Sequence, residues 1–359
     1  MISFAQSKSR YEHWLAKSLG SDFVAADLAR KNTLMRESPF VFLRGTYWRW
    51  AESAFEVLPD LAKAPQVLSV GDIHLENFGT WRDDDGRLVW GVNDFDEAAT
   101  MPYALDVVRL ATSAVLAANP AKAAIKVANV ATAISPIIEG YAKGLKTPAA
   151  VVLEQDRAWL RGKVVVPEED RKKFWKKIEQ RVIEPAPERF RKTLEAAMPE
   201  RHISFDTARR VAGTGSLGRP RWIAVATWRG GWIVRESKAV LTSAWQLVHG
   251  GPEKLFLAEI AGGEFRAPDP WYRVSDGIVT RRLSPDKRNI EAGSIDTDLN
   301  GQKMLASMGF ELANIHLGEQ NAHTTIARDF EARKPEWWTA ATKTAALSVI
   351  EDYRTFCST

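Results

Sequence analysis

The spacing of apolar and polar residues divides the chain into four segments that differ in predicted secondary structure. Residues 1–65 follow a mainly helical pattern, and residues 66–200 begin with short apolar strands before long helices take over. Residues 201–300 carry consecutive strand patterns, and residues 301–359 return to helical spacing. This order predicts an α+β protein whose strands lie in two separate stretches of the chain.

Turn signals between short apolar runs locate the strands. Gly230-Gly231 separates two such runs and predicts a hairpin, and Asp83-Asp84-Asp85-Gly86 predicts another. The predicted strands are Gln66–Val70, Thr80–Trp81, Leu88–Asn93, Ile203–Ala212, Arg221–Trp228, Trp232–Lys238 and Gly277–Leu283.

Helical spacing is clearest after the first strands and at the end of the chain. Two long helical patterns run from Leu105 to Tyr141, and residues 150–200 form a charged helical region. Near the end of the chain, Trp337–Tyr353 is helical, and an earlier amphipathic helix carries one apolar stripe formed by Met304, Leu305, Met308, Leu312 and Ile315.

Composition and charge limit the expected cellular location and the expected kinds of ligand. The chain has 45% hydrophobic and 26% charged residues, the proportions of an ordinary globular protein. Its formal net charge is only +4, which suits a phosphate-bearing ligand but gives no reason to expect nucleic-acid binding. A single cysteine, Cys357, excludes an intrachain disulfide, and no apolar stretch reaches the ~18 residues of a membrane helix. We therefore expect a cytoplasmic protein that does not bind membranes.

Two polar clusters near the first predicted strands carry the clearest chemistry. In Gly71-Asp72-Ile73-His74-Leu75-Glu76-Asn77 a carboxylate and an amide lie five positions apart, and in Asn93-Asp94-Phe95-Asp96 a further carboxylate follows an apolar strand. Phosphoryl transfer in kinase-like sites uses one Asp to orient the acceptor hydroxyl, with an Asn and a second Asp holding magnesium against ATP. Asp72, Asn77 and Asp94 supply these groups in that order.

The same residues admit other interpretations. Asp and Asn often form turns, and a loop histidine such as His74 often bonds only a local carbonyl group. Asp72, His74, Asp94 and Asp96 are also plausible divalent-metal ligands in a metallohydrolase. Only His74 among the six histidines lies near these acids, which favours phosphoryl transfer.

A glycine-rich loop and a lysine follow much later in the chain. Gly213-Thr214-Gly215-Ser216-Leu217-Gly218 fits G-x-G-x-x-G, a string that also marks dinucleotide-binding folds. Here a strand rather than a helix follows it, as in the loop that covers the phosphates in kinases. Lys238 lies on the next strand but one, where a lysine reaches the α- and β-phosphates. The alternative is a tight turn followed by an ordinary strand lysine.

Together these motifs resemble the protein-kinase-like superfamily in its aminoglycoside- and choline-kinase-like branch, and more closely the bacterial domain of unknown function 2252 family. The resemblance rests on Phe42-Leu43-Arg44-Gly45, Gly71–Gly79, Asn93–Glu97, Pro102–Leu110, Gly213–Gly218, the segment around Lys238, and Leu312-Ala313-Asn314-Ile315-His316.

The resemblance implies a bilobal fold with ATP and Mg²⁺ as cofactors. Residues 1–65 would be an N-terminal helical segment, 66–200 a C-lobe-like catalytic core, 201–300 an N-lobe-like antiparallel sheet, and 301–359 helices returning to the C-lobe. The implied roles are catalytic base for Asp72, magnesium ligands for Asn77 and Asp94, a phosphate-covering loop for Gly213, Thr214, Gly215, Ser216 and Gly218, phosphate contact for Lys238, and support for His74 and Asp106. We further expect Asp96 and Glu97 to bind a second metal or a basic part of the substrate.

Three features depart from the kinase pattern. The glycine loop and Lys238 follow the catalytic loop instead of preceding it, which we interpret as a circular permutation; a structure with Lys238 far from Asp94 would exclude it. Glu236 stands where kinases prefer a small residue against adenine, and Val70 where many relatives have His or Tyr. The glutamate that pairs with Lys238 stays open among Glu253, Glu259 and Glu264.

The leading hypothesis is therefore a Mg-ATP-dependent phosphotransferase that acts on a hydroxyl of an acceptor whose identity the sequence does not give. The alternatives are transfer of AMP on the same fold and a pseudokinase that binds ATP without turnover. The sequence gives no oligomeric state, and fold alone does not settle function.

Overall fold

The computed structural model describes residues 2–118, 127–155, 157–287, 299–318 and 322–358. The helices are α1 (Phe4–Leu19), α2 (Ala25–Met35), α3 (Pro39–Gly45), α4 (Tyr47–Val57), α5 (Tyr103–Ala118), α6 (Val127–Lys146), α7 (Ala158–Val164), α8 (Glu168–Glu179), α9 (Glu188–Ala196), α10 (Ala244–His249), α11 (Leu257–Ala261), α12 (Leu299–His316), α13 (Ala322–Ala332) and α14 (Pro335–Ser358). The strands are β1 (Gln66–Ser69), β2 (Phe78–Arg82), β3 (Leu88–Val92), β4 (Ala99–Pro102), β5 (Asp206–Arg209), β6 (Arg221–Trp228), β7 (Gly231–Ala239), β8 (Arg273–Ser275) and β9 (Ile278–Leu283).

All strand pairs are antiparallel, which confirms the α+β class expected from the sequence. β1 pairs with β4, β2 pairs with β3, and the remaining strands form one sheet in the order β5-β6-β7-β9-β8. In that sheet Arg221 of β6 lies opposite Lys238 of β7, and Glu236 of β7 lies opposite Arg281 of β9. This register places several charged side chains close together on one face of the sheet.

The helices around α5 form most of the apolar core. Every residue of α5 from Tyr103 to Leu116 is buried, because α3, α6 and α14 all pack against this helix. A smaller apolar cluster lies under the five-stranded sheet, where Phe174 and Trp175 of α8 pack against it. α9 contacts the same sheet, and its Thr193 hydroxyl lies 2.9 Å from the Ser237 hydroxyl. Among the described helices, none combines the length and apolarity needed to cross a membrane.

The structure confirms most of the predicted elements and corrects one turn. The hairpin between β6 and β7 turns at Arg229-Gly230, not at Gly230-Gly231, because Trp228 pairs with Gly231. Arg229 and Gly230 both have positive φ, at 47° and 83°, as the tightest hairpin turns require. The sequence patterns missed the short elements β4, β8, α10 and α11, and also α13. Part of the predicted segment 201–300 lies outside the described residues.

Close packing of α6 against α12 depends on glycine. A side-chain Cβ at Gly140 would overlap the backbone carbonyl oxygen of Ala306, and one at Gly309 would overlap that of Ile137. A Cβ at Gly144 would lie 2.8 Å from the carbonyl oxygen of Phe310. The two backbones therefore approach too closely for any larger residue at these positions.

We predict that Gly140→Ala lowers the free energy of unfolding by ~1–3 kcal/mol, because α6 and α12 must move apart. The matched control is Gly162→Ala on α7, where nothing lies within 4 Å of the added methyl group. That change should raise stability by up to ~1 kcal/mol through helix propensity. Urea unfolding of both variants tests the prediction, and equal stabilities would contradict it.

Candidate functional site

Three loops from distant parts of the chain line one polar cleft. They are the loop after β1, the loop after β3, and the glycine loop between β5 and β6. The cleft has a volume of about 160 Å³. Its lining includes Arg44, Asp72, His74, Asn77, Asp94, Asp96, Glu97, Gly213, Thr214, Gly215, Ser216, Arg219 and Arg281.

The backbone of the first loop is fixed by a buried carboxylate on α5. Asp106 accepts hydrogen bonds from the backbone N–H groups of Val70 (2.7 Å) and Gly71 (3.0 Å). His316 of α12 lies 3.2 Å from the same carboxylate, and the Tyr141 hydroxyl lies 2.8 Å from the other imidazole nitrogen. Asp106 therefore holds the peptide that precedes Asp72.

The Asp72 carboxylate pairs with Arg109, which lies one turn after Asp106 on α5. Arg109 is fully buried, donates to the carbonyl oxygen of Leu43 at 2.9 Å, and lies 5.1 Å from the ring centres of Tyr47 and Trp50. Burial raises the pKa of Asp72 to about 7, although Arg109 opposes the shift. A carboxylate that titrates near neutral pH is suited to general-base catalysis.

Asn77 and His74 have different positions in the loop. The Asn77 side-chain amide donates to the backbone oxygen of Asp72 at 2.6 Å, which leaves its amide oxygen as an acceptor or ligand. His74 is buried and accepts from the backbone N–H of Glu76 at 3.2 Å. Burial, together with Arg44 and Arg109, lowers the pKa of His74 well below its usual value. His74 is therefore a neutral structural residue of the loop.

Lys238 joins the second loop to the five-stranded sheet. Its ammonium group lies 3.2 Å from the Asp94 carboxylate and 2.6 Å from the Asp96 carboxylate. Burial alone would raise the pKa of the Asp94 carboxyl group. Lys238 and Arg281 outweigh this effect and hold the pKa of Asp94 below its usual range. The pKa of Asp96 is raised by burial and by the neighbouring Asp94. The Asp94 side chain keeps 37% of its surface exposed, so it is open to a ligand.

The glutamate partner expected for Lys238 is not found among the three candidates. Lys238 pairs with the two aspartates instead, and Glu259 pairs with Lys254 at 2.5 Å. The helix that follows β7 most closely, α10, contains no acidic residue. The charge of Lys238 is therefore balanced by the loop after β3.

Glu97 links the cleft to the start of α10. Arg219 donates to one carboxylate oxygen of Glu97 at 2.9 Å, and the backbone N–H of Ala244 donates to the other at 2.7 Å. Arg219 also lies 3.4 Å from Asp96. Both oxygens of Glu97 therefore have partners, and both oxygens of Asp96 do as well, since they pair with Lys238 and Arg219.

The glycine loop closes over Asp72. A Cβ at Gly215 would lie 3.3 Å from the Asp72 carboxylate and 3.1 Å from the backbone oxygen of Arg44. Gly213 and Gly218 have positive φ, at 78° and 99°, which glycine adopts without strain. The Ser216 hydroxyl turns inward and accepts from Arg221 at 2.8 Å.

The N-terminal helices hold this loop from outside. Lys31 of α2 donates to the Gly215 carbonyl oxygen at 3.1 Å, and the backbone N–H of Val24 donates to the Gly218 carbonyl oxygen at 3.2 Å. A Cβ at Gly218 would lie 3.3 Å from Leu15 of α1, so this glycine faces the helices and not the cleft. Burial and Arg219 lower the pKa of Lys31 to about 8. The closed loop thus depends on residues far from it in sequence.

Glu236 occupies the sheet face beside the cleft with three arginines. Arg221 and Arg281 donate to its carboxylate at 2.9 Å each, and Arg210 pairs with its other oxygen. Burial raises the pKa of Glu236, but Arg221, Arg210 and Arg281 together hold it well below its usual value. Glu236 itself is fully buried and stands where the kinase pattern expects a small side chain, while Arg210 and Arg281 remain partly exposed.

The oxygen groups in the cleft suit magnesium better than a transition metal. Asn77 and Asp94 offer hard oxygen ligands, and Mg²⁺ commonly takes one or two such groups together with phosphate oxygens and waters. No cluster of three or more His, Cys, Asp or Glu residues able to hold a metal occurs in the described part of the chain. The oxygen atoms of Asn77 and Asp94 are therefore the donors in the cleft that would fit Mg²⁺.

Sequence analysis named the acidic residues of the cleft and Lys238, but it assigned no role to the arginines. Arg109, Arg219, Arg221 and Arg281 each contact a residue that is distant in the chain or across the sheet. One signal was available for Arg109, because it is the one cation in the mostly apolar stretch from Leu105 to Leu116. A buried arginine requires an anionic partner, and Asp72 supplies it here.

Comparison with known families agrees with the resemblance to the domain of unknown function 2252 family. Residues 24–202 match the model of the family described as "Uncharacterized protein conserved in bacteria (DUF2252)". The matched region includes Asp72, Asn77, Asp94 and Asp106 and ends before the glycine loop, and it supports a place for the chain in that family. No curated protein and no solved structure matches the chain.

We predict that Asp72→Asn changes the pH dependence of stability. The folded pKa of about 7 lies above the unfolded value of ~3.9, so wild type loses stability as pH rises toward 7. The substitution removes this loss. The free energy of unfolding of the variant, taken relative to that of wild type, should therefore be ~3 kcal/mol higher at pH 8 than at pH 5.

Urea unfolding of both proteins at the two pH values measures the difference. The control is Asp84→Asn in the exposed turn between β2 and β3, which should show the same difference from wild type at both pH values. A constant difference for Asp72→Asn would mean that Asp72 is ionised throughout this range.

Proposed function

We propose that the chain is a Mg-ATP-dependent phosphotransferase with a circularly permuted, protein-kinase-like arrangement. The carrying observation is the contact of Lys238 with Asp94, at 3.2 Å, between residues 144 positions apart. The acidic loops and the segment with Lys238 each suggested nucleotide chemistry on their own, and here they line one site. A large distance between Lys238 and Asp94 would have excluded a permutation, and the two residues are in contact.

The position of each motif in the sheet supports the proposal. The glycine loop joins β5 to β6, and Lys238 lies on β7, so loop and lysine occupy the first three consecutive strands of the five-stranded sheet. In protein kinases a glycine-rich loop likewise covers the phosphates, and the lysine lies on the third strand. A permutation accounts for their place after Asp72 in this chain.

The residues of the cleft have distinct roles in this proposal. Asp72, with its pKa near 7, accepts the proton of the acceptor hydroxyl, and Arg109 holds its carboxylate in place. Asn77 and Asp94 would hold the metal, which neutralises charge on the transferred phosphoryl group. Lys238 neutralises negative charge beside Asp94, and the backbone of the glycine loop excludes water from the phosphates.

One observation favours a second candidate, a nucleotide-binding protein without turnover. Lys238 pairs with Asp94 and Asp96, whereas an active protein kinase pairs this lysine with a helical glutamate. Lys238 and Asp94 must separate, or share their partners, when a metal–nucleotide complex binds. A pseudokinase would keep the binding step and lose transfer.

We predict that Mg-ATP raises the stability of the wild-type protein by ~2.7 kcal/mol at a concentration of 100 times Kd. Asp94→Asn should lose most of this stabilisation, because it removes a metal-binding carboxylate. Asp72→Asn should keep it and lower ADP formation by roughly 100-fold or more, because it removes the general base.

Thermal unfolding with ATP, with and without Mg²⁺, measures binding, and ADP formation in the presence of a mixed pool of small hydroxyl compounds measures transfer. Asp84→Asn serves as the matched control and should behave as wild type. Binding without ADP formation would favour the second candidate, and equal stabilisation of wild type and Asp94→Asn would contradict the site assignment.

A further inference from the structure

A second cavity lies directly beside the polar cleft and has aromatic walls. Trp81 from β2, Phe95 from the loop after β3, and Tyr272 with Pro268 from the segment before β8 line it, and we call it the aromatic cavity. Its volume is about 180 Å³, close to that of the polar cleft. Such apolar walls with charged groups at the margin are typical of small-ligand sites.

The aromatic cavity adjoins the polar cleft. Asn93 and Arg281 line both spaces. Arg281 donates to the backbone oxygen of Asn93 at 3.3 Å and to the Glu236 carboxylate at 2.9 Å, so its guanidinium lies at the junction. Phe95 directly follows Asp94 in the chain, which places an aromatic wall next to the metal-binding carboxylate. A ligand with a planar end and a phosphate end could therefore occupy both spaces.

The walls of the aromatic cavity are rigidly held. The Arg266 guanidinium lies 5.3 Å from the Trp81 ring centre and 5.0 Å from that of Phe95. It is fixed by a buried ion pair with Glu311 and by a 2.7 Å hydrogen bond to the backbone oxygen of Val92. Trp81 also donates to the Ala267 carbonyl oxygen at 2.6 Å. A preformed aromatic surface lowers the entropic cost of ligand binding.

The usual place for a nucleobase is filled in this protein. Glu236 and its arginines occupy the sheet face two residues before Lys238, and the carboxylate is fully buried. A base lying there would separate the buried Glu236 carboxylate from its arginines, and breaking an ion pair with a buried member is strongly destabilising. The aromatic cavity offers aromatic rings beside the same phosphate site, with the Arg266 guanidinium next to two of them.

We propose that the aromatic cavity binds the base of the nucleotide, with the phosphates passing Arg281 to reach Asp94 and Lys238. This inference rests on the proposed function, since it names the binding mode of the same nucleotide. The Tyr272 ring stacks on the base, and Phe95 and Trp81 form the opposite wall. The base is thereby displaced from the sheet face that Glu236 occupies.

The test compares two ligands on three proteins. Mg-ATP carries the base, whereas Mg-tripolyphosphate carries only the phosphate chain. In the wild type, ATP should bind more tightly than tripolyphosphate. Tyr272→Ala should weaken ATP binding by about 5- to 160-fold, the range expected for loss of one base–aromatic stack, and leave tripolyphosphate binding unchanged. Tyr272→Phe keeps the ring and should bind both ligands as wild type does.

The exposed Trp232 on β7 provides a matched control, because Trp232→Ala removes an aromatic ring that lines neither cavity. Unchanged ATP affinity in Tyr272→Ala, or an equal loss for both ligands, overturns the aromatic-cavity assignment while the proposed function stands. Equal affinity of wild type for the two ligands also overturns it. Wild type that binds neither ligand contradicts the proposed function itself.

A second measurement requires no substitution. With ATP bound to the wild-type protein, nuclear Overhauser contacts should connect the base protons to the rings of Tyr272 and Phe95. Contacts from the base to side chains of β6 and β7 instead would place it on the sheet face and overturn the inference.

Discussion

The ion pairs of Lys238 with Asp94 and Asp96 are the interaction on which the site depends. They connect the five-stranded sheet to the loop after β3, and Lys238 itself is almost fully buried. A buried cation needs an anionic partner, so the sheet cannot move away from the loop without a large cost. The position of the glycine loop over Asp72 follows from this attachment, because the loop joins two strands of the same sheet.

The polar cleft is a balanced set of buried charges. Arg109 faces Asp72, Arg219 faces Asp96 and Glu97, and three arginines surround Glu236. Such networks hold side chains in fixed positions without requiring a ligand, and they prepare the site for a charged one. At Glu236 the same arrangement fills the sheet face two residues before Lys238 with charged groups.

Features that depend on residues close together in the sequence could be predicted. Contacts between residues far apart in the chain could not. The β2–β3 hairpin, the strand–glycine loop–strand unit and the acidic loops follow from turn residues and from spacing over a few positions. The partner of Lys238 did not follow, since helical glutamates were expected and aspartates 142 to 144 positions earlier were found. Short elements such as α10 and β4 also escaped, because tertiary contacts define them more than periodicity does.

The most direct test of the account is nuclear magnetic relaxation with Mn²⁺ in place of Mg²⁺. A paramagnetic metal broadens the signals of nearby nuclei, so a Mn-ATP complex reports where the metal binds. We expect selective broadening of the Asn77 and Asp94 signals that appears with Mn-ATP and is reversed by excess Mg-ATP. Broadening that spares these two residues and appears elsewhere would contradict the assignment of this cleft as a metal–nucleotide site.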